Sequence, residues 1–107
     1  MYLSSDLYRF FNLVKEIYSN YSKYMYNVAV DVGVVVVPID VVRDKFRAST
    51  LARPELYVIN MFRMFGVDAV KAKNKLYIFA SRDELEQILA KLAGAMMEGG
   101  SSGDKGS

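Results

Sequence analysis

Lys71, Lys73 and Lys75 alternate with single residues around Asn74, and five more cations precede them within a short span. Residues 43–75 hold eight basic groups (Arg43, Lys45, Arg47, Arg53, Arg63 and the three lysines) against three acids (Asp44, Glu55, Asp68), a local charge of +5. The rest of the chain holds six basic groups and nine acids, so the net +2 of all 107 residues conceals the asymmetry. Such a block suits the neutralisation of phosphate oxygens, the general source of affinity for a nucleic-acid backbone. Arg53, Asn60 and Arg63 add a second capacity, because Arg and Asn can contact guanine and adenine edges in bidentate fashion.

Other chemistries find little support. Cysteine is absent, which excludes disulfides and thiolate nucleophiles. Histidine is absent too, which removes the commonest metal ligand and general base. Asp83, Glu84 and Glu86 stand where a helix begins, and acids there serve the cap and the dipole. The glycines of 99–106 form no phosphate-cradling loop. The expectation is a protein that is not an enzyme and needs neither metal nor cofactor.

Hydrophobic periodicity supplies the elements that would position the cations. Residues 4–26 read as one amphipathic helix, with Leu7, Phe10, Phe11, Val14, Ile17, Tyr18, Tyr21 and Met25 on one face. Residues 28–37 are mostly β-branched and read as a strand, most securely over 34–37, with Val28, Val30, Val32, Val34 and Val36 on one face. Gly33 marks either a bulge or the end of the first helix. Asp31 stands alone in the segment, as a bulge residue or an exposed one. Pro38 then opens a short helix whose apolar residues are Ile39, Val42 and Phe46, followed by a turn at 48–50.

A second helix starts near Thr50 or Arg53, tolerates Pro54 in its first turn, and runs to Phe65, where Gly66 ends it. Val58, Met61, Phe62 and Phe65 form its expected core face. Arg53, Leu56, Tyr57, Asn60, Arg63 and Met64 lie opposite. Residues 69–79 read as a hairpin. A three-residue loop Lys73-Asn74-Lys75 keeps Val70 and Ala72 with Leu76 and Ile78, whereas a two-residue loop places Lys75 and Tyr77 with Val70. Asn74 is the residue suited to a left-handed backbone in that loop. Ser81 and Glu84 form a capping box for a last helix over 82–97, striped by Leu85, Ile88, Leu89, Leu92 and Met96. The domain therefore spans 1–97, and the Gly/Ser-rich residues 98–107 are expected to be a disordered tail.

The order helix, strand, helix, helix, hairpin, helix resembles the winged helix-turn-helix family of DNA-binding domains, most closely over residues 34–80. The resemblance implies an α+β fold, a recognition helix at about 53–65, a basic wing at 69–79, and double-stranded DNA as the partner. It points to a small transcriptional regulator or a chromosome-associated factor. The contacts implied are Arg43, Arg47, Ser49, Thr50, Arg53, Tyr57, Asn60, Arg63, Lys71, Lys73, Asn74 and Lys75. One departure is the turn between the two central helices, which is longer than the usual three or four residues.

Two other readings stand beside it. Leu56, Tyr57 and Met64 also fit a protein interface, as in a winged-helix subunit of a replication or transcription assembly. Tyr18, Tyr21, Tyr24 and Tyr26, with Lys23, could stack on single-stranded bases, although Tyr18 and Tyr21 lie on the apolar face and fit core or subunit packing. The wide apolar arcs of residues 4–26 and 82–97 point to a homodimer through those helices. No apolar run approaches the roughly 20 residues of a membrane span, and the first residues carry Ser, Asp and Arg rather than a signal peptide. A soluble, cytoplasmic protein is expected.

Overall fold

The computed structural model describes residues 5–25 and 33–105. Among them are five helices and one three-stranded antiparallel sheet, an α+β arrangement. The order is α1 (Ser5–Ser19), α2 (Tyr21–Tyr24), β1 (Val35–Pro38), α3 (Ile39–Lys45), α4 (Pro54–Met64), β2 (Ala69–Ala72), β3 (Lys75–Ile78) and α5 (Arg82–Lys105). Strands lie in the order β1-β3-β2. α1 packs on α5 and α3, α3 on α4, and α4 on β2.

The first helix is shorter than its apolar pattern predicts. It stops at Asn20, whose side-chain amide donates back to the Glu16 carbonyl at 3.0 Å and to Glu16 Oε2 at 3.2 Å. A side chain that bonds its own preceding turn competes with helix continuation, and the backbone at Asn20 turns to φ −118°. The single turn α2 then redirects the chain. Tyr24 becomes buried, with its hydroxyl donating to Glu16 Oε2 at 3.2 Å, and Tyr21 donates to the Ala80 carbonyl at 3.2 Å. Within α1 the buried residues are Phe10, Leu13, Val14 and Ile17, whereas Met25, expected on the same face, is exposed and bridges to Val35.

Residues 28–32, including Asp31, lie outside the described residues, as does Tyr26. Of the expected strand, β1 begins at Val35, and its inner face is Val35 and Val37 rather than the set containing Val36. Gly33 lies just before β1, outside any element among the described residues. Its Cα abuts the backbone of Ser81, where an added Cβ would fall 2.7 Å from the Ser81 nitrogen and Cα. The close approach explains the glycine.

Pro38 closes β1 and caps α3. The long turn from Phe46 to Arg53 is tied both to α1 and to itself. Ser49 Oγ donates to Asp6 Oδ1 at 2.7 Å and accepts the Leu51 amide at 3.1 Å. α4 begins at Pro54 as its first helical residue. It ends with Gly66 at φ +80°, the Gly66 amide bonding to the Arg63 carbonyl and the Val67 amide to the Phe62 carbonyl. That paired closure satisfies the last carbonyls of the helix, and Val67 is buried beside it.

The hairpin takes the shorter loop. Ala72 pairs with Lys75, Lys71 with Leu76, Val70 with Tyr77 and Ala69 with Ile78, which leaves only Lys73 and Asn74 in the turn. The inward residues are Ala69, Leu76 and Ile78, while Val70 faces out. β2 lies against α4, so the inward place at its start goes to alanine and not to the larger valine. The left-handed residue is Lys73, at φ 58°, in place of the expected Asn74.

Ser81 and Glu84 do form the capping box: the Ser81 amide donates to Glu84 Oε1 at 2.8 Å, and the Glu84 amide donates to Ser81 Oγ at 3.2 Å. Leu85, Ile88 and Leu92 are buried along α5. The helix is drawn to Lys105, past the end expected at 97. Residues 98–105 contain no large apolar residue, and among the described residues the buried stripe of α5 ends at Leu92.

Phe10 and Phe62 are both fully buried and meet edge-on at 5.0 Å, with Phe65 stacked on Phe10 at 6.4 Å. Phe46 is buried as expected, whereas Phe65 is only half-buried. Phe62→Ala removes the ring that joins α4 to α1. A loss of about 3–5 kcal/mol is expected in denaturant titration; a loss under about 1 kcal/mol would mean that this contact does not hold the core.

Candidate nucleic-acid interface

The face of α4 is set by what it buries. Glu55, Val58, Ile59 and Phe62 point inward, at spacings of three, four and seven residues from Glu55. Met61 and Phe65, expected in the core, are only partly covered. Arg53, Leu56, Asn60, Arg63 and Met64 are exposed on the other side, as the sequence predicts. Tyr57 is the exception on that side: it is half-buried, with its ring edge-on to Phe46 at 5.8 Å.

The three acids of the basic block are each matched to an arginine of the same block. Arg47 pairs with Asp44 one helical turn away. Arg63 lies 3.5 Å from Asp68 and donates to the Ala69 carbonyl at 3.1 Å, so its guanidinium turns toward the end of α4 and the start of β2. Arg43 reaches Glu55 Oε2 at 3.7 Å. Lys45 lies 3.8 Å from Glu16 on α1. Of the cations in the basic block, those left without an ion pair among the described residues are Arg53 at the start of α4 and Lys71, Lys73 and Lys75 at the hairpin tip, all exposed.

Those three lysines do not share a face. Lys71 pairs with Leu76 and so lies on the helix side of the sheet, Lys73 occupies the turn, and Lys75 pairs with Ala72 on the opposite side. The tip is anchored, because the Asn74 carbonyl accepts the Ile39 amide at 2.9 Å. Thr50 and Asn60 are exposed. Ser49, expected as a contact, is instead committed to Asp6 and the turn.

Glu55 was not among the expected site residues. It is 3% exposed, and its Oε1 has no hydrogen-bond partner. A signal was present, since its spacing to Val58, Ile59 and Phe62 places it on the apolar stripe. Its place in the first turn of α4 sets its charge against the positive end of the helix dipole. Elsewhere, burial followed by the nearby Glu84 raises the Tyr21 hydroxyl above its usual range, and burial followed by Glu16 does the same for Tyr24. Both favour the protonated form in the folded state, so the stability they contribute is present below about pH 10 and fades as pH rises through their folded values.

Among the described residues no cluster of three or more carboxylates could hold a metal ion, and no helix is long and apolar enough to cross a membrane.

Arg43 is the cationic neighbour of a nearly buried carboxylate, so removing it exposes a charge without compensation. Arg43→Ala is expected to cost about 1–3 kcal/mol, within the range for stranding a buried charged group. Adding Glu55→Leu should recover much of that loss. Urea titrations of the single and double variants check this; a cost no greater than that of Lys91→Ala would show that the pair contributes nothing.

No protein-family model, curated protein or solved structure matches the chain.

Proposed function

We propose that this chain is a winged helix-turn-helix protein that binds double-stranded DNA, as a small cytoplasmic transcriptional regulator or chromosome-associated factor. The element order, with β1 inserted between α1 and α3 and paired to the hairpin that follows α4, is compatible with that layout. The carrying observation is the distribution of charge. The acids of the basic block are taken up by Arg43, Arg47 and Arg63, and the cations of that block left unpaired among the described residues stand at the start of α4 and at the hairpin tip.

On this reading Arg53, Lys71 and Lys73 contact phosphates, and release of the counterions condensed there drives binding. Asn60, exposed midway along α4, is placed to read an adenine edge. Arg47 contributes by exchanging a weak exposed ion pair for phosphate, since such a pair is worth at most about 1 kcal/mol, whereas Arg43 has to leave the buried Glu55 carboxylate to do so. Arg63 has to leave Asp68 and the Ala69 carbonyl before it reaches a base.

Leu56, 45% exposed, and Met64, 78% exposed, lie on the same side of α4 and favour a second reading, a docking face for another protein. A homodimer through α1 and α5 is also proposed. The large apolar side chains that those helices leave most exposed are Tyr8 and Met97.

The test is a salt titration against duplex DNA, single-stranded DNA and RNA. Replacing Arg53, Lys71 or Lys73 with Ala should weaken binding to all duplex sequences alike and reduce the salt slope by about 0.9 per residue. Asn60→Ala should instead cost roughly 1–3 kcal/mol on the preferred sequence only. If all four can be changed without altering duplex affinity, the docking reading takes the place of the DNA reading. Light scattering at high micromolar concentration decides the dimer: twice the 12.1 kDa chain mass is expected, and a single chain mass refutes it.

A further inference from the structure

The side of the sheet that faces away from the helices carries its own groove. β1 and β3 present Val36 and Tyr77 there as a directly paired couple, and Lys75 lies on the same face of β3. Tyr24 and Met25 close the groove from the edge of β1, and Lys23 stands over the Tyr24 ring at 5.4 Å from its centre. The groove holds about 430 Å³, within the range of small-ligand sites, about 300–1,000 Å³. Among the described residues its lining includes two ammonium groups and no carboxylate. A larger depression of about 620 Å³ beside α3 differs in this respect, because Glu16, Asp40 and Asp44 line it together with cations.

An aromatic ring on an open strand surface, with lysine on either side and no acid, has the composition of a site that stacks a base and neutralises the phosphates next to it. Phe79, 43% exposed, follows Tyr77 by two residues, about 6.8 Å along an extended chain. That is room for a second, splayed base.

We propose that this groove is a separate site for an unpaired nucleotide of single-stranded DNA or RNA, with Tyr77 as its stacking platform and Lys23 and Lys75 as its phosphate contacts. It does not depend on the duplex reading, because Tyr77 and Lys23 lie off α4 and off the helix side of the sheet. Charge sets the choice of occupant: a nucleic-acid strand brings a phosphate beside every base, which matches an aromatic ring flanked by Lys23 and Lys75.

The experiment uses the full chain, an oligothymidylate carrying one 2-aminopurine, an all-ribose counterpart, and a hairpin duplex. Fluorescence anisotropy gives affinities, and quenching of 2-aminopurine reports stacking. Tyr77→Ala should weaken single-strand binding roughly 5- to 150-fold and remove the quenching. Tyr77→Phe should retain both, and duplex affinity should stay within about twofold in each variant. Lys23→Ala, an exposed change that carries the test should Tyr77→Ala fail to fold, should reduce the single-strand salt slope by about 0.7. A preference between the deoxy and ribo strands identifies the source of the nucleotide. The proposal is overturned if the wild-type chain binds no single strand at low salt. It is equally overturned if neither Tyr77→Ala nor Lys23→Ala changes single-strand affinity, or if single-strand and duplex affinity fall together. Loss of self-association in Tyr77→Ala with unchanged oligonucleotide binding would assign the groove to a second copy instead. Arg53→Ala separates the two sites, since it should weaken duplex binding and leave the quenching intact.

Discussion

Leu76 and Ile78 are fully buried on a strand that is hydrogen-bonded on both sides, and the orientation of the candidate surfaces follows from their placement. With those two residues inward, Lys75 and Tyr77 must face outward, because strand side chains alternate. Across the ladder the same register sends Ala69 and Lys71 to the helix side and Val70 to the outside. A slip of one residue would exchange every member of these sets, and two buried aliphatic side chains would then lie in solvent. The hydrophobic effect thus decides on which side of the sheet each cation lies, without any of the cations contributing to the decision.

Charge in this domain is arranged by subtraction. Arginines absorb the acids of their own neighbourhood, often within one helical turn, and the charge that remains for an external anion is carried mainly by lysine. The division suits the two side chains. A planar guanidinium meets fixed acceptors, as Arg63 does with Asp68 and the Ala69 carbonyl, whereas a flexible ammonium follows a phosphate whose position varies. Glu55 is the costliest member of the arrangement, a carboxylate with one oxygen lacking a partner beneath the surface.

Features that one local rule determines were legible in the residues alone. The Ser81–Glu84 box, the Gly66 stop and the buried stripe of α5 each follow from short-range geometry. The exposed side of α4 was legible for the same reason. What escaped was decided between elements. Asn20 ends α1 through a bond to its own preceding turn, yet the apolar pattern runs on past it, because Tyr24 finds a buried position and Tyr21 a half-buried one in a new direction. The hairpin loop was misjudged because keeping Val70 with Leu76 and Ile78 maximises apolar matching in isolation, whereas α4 lying on β2 leaves room only for Ala69. Ser49 looked like a polar turn residue free to meet a ligand; its acceptor, Asp6, stands forty-three residues earlier in the chain.

The bond from the Ile39 amide to the Asn74 carbonyl joins the hairpin tip to the first residue of α3. Hairpins in small domains are often pictured as flaps, hinged at their base and free at their end. This one is a bracket, fastened at both. The tip is tied to α3, and α3 is tied in turn through Arg43 to the Glu55 carboxylate of α4. The hairpin and the two helices are thus linked at the tip as well as at the base.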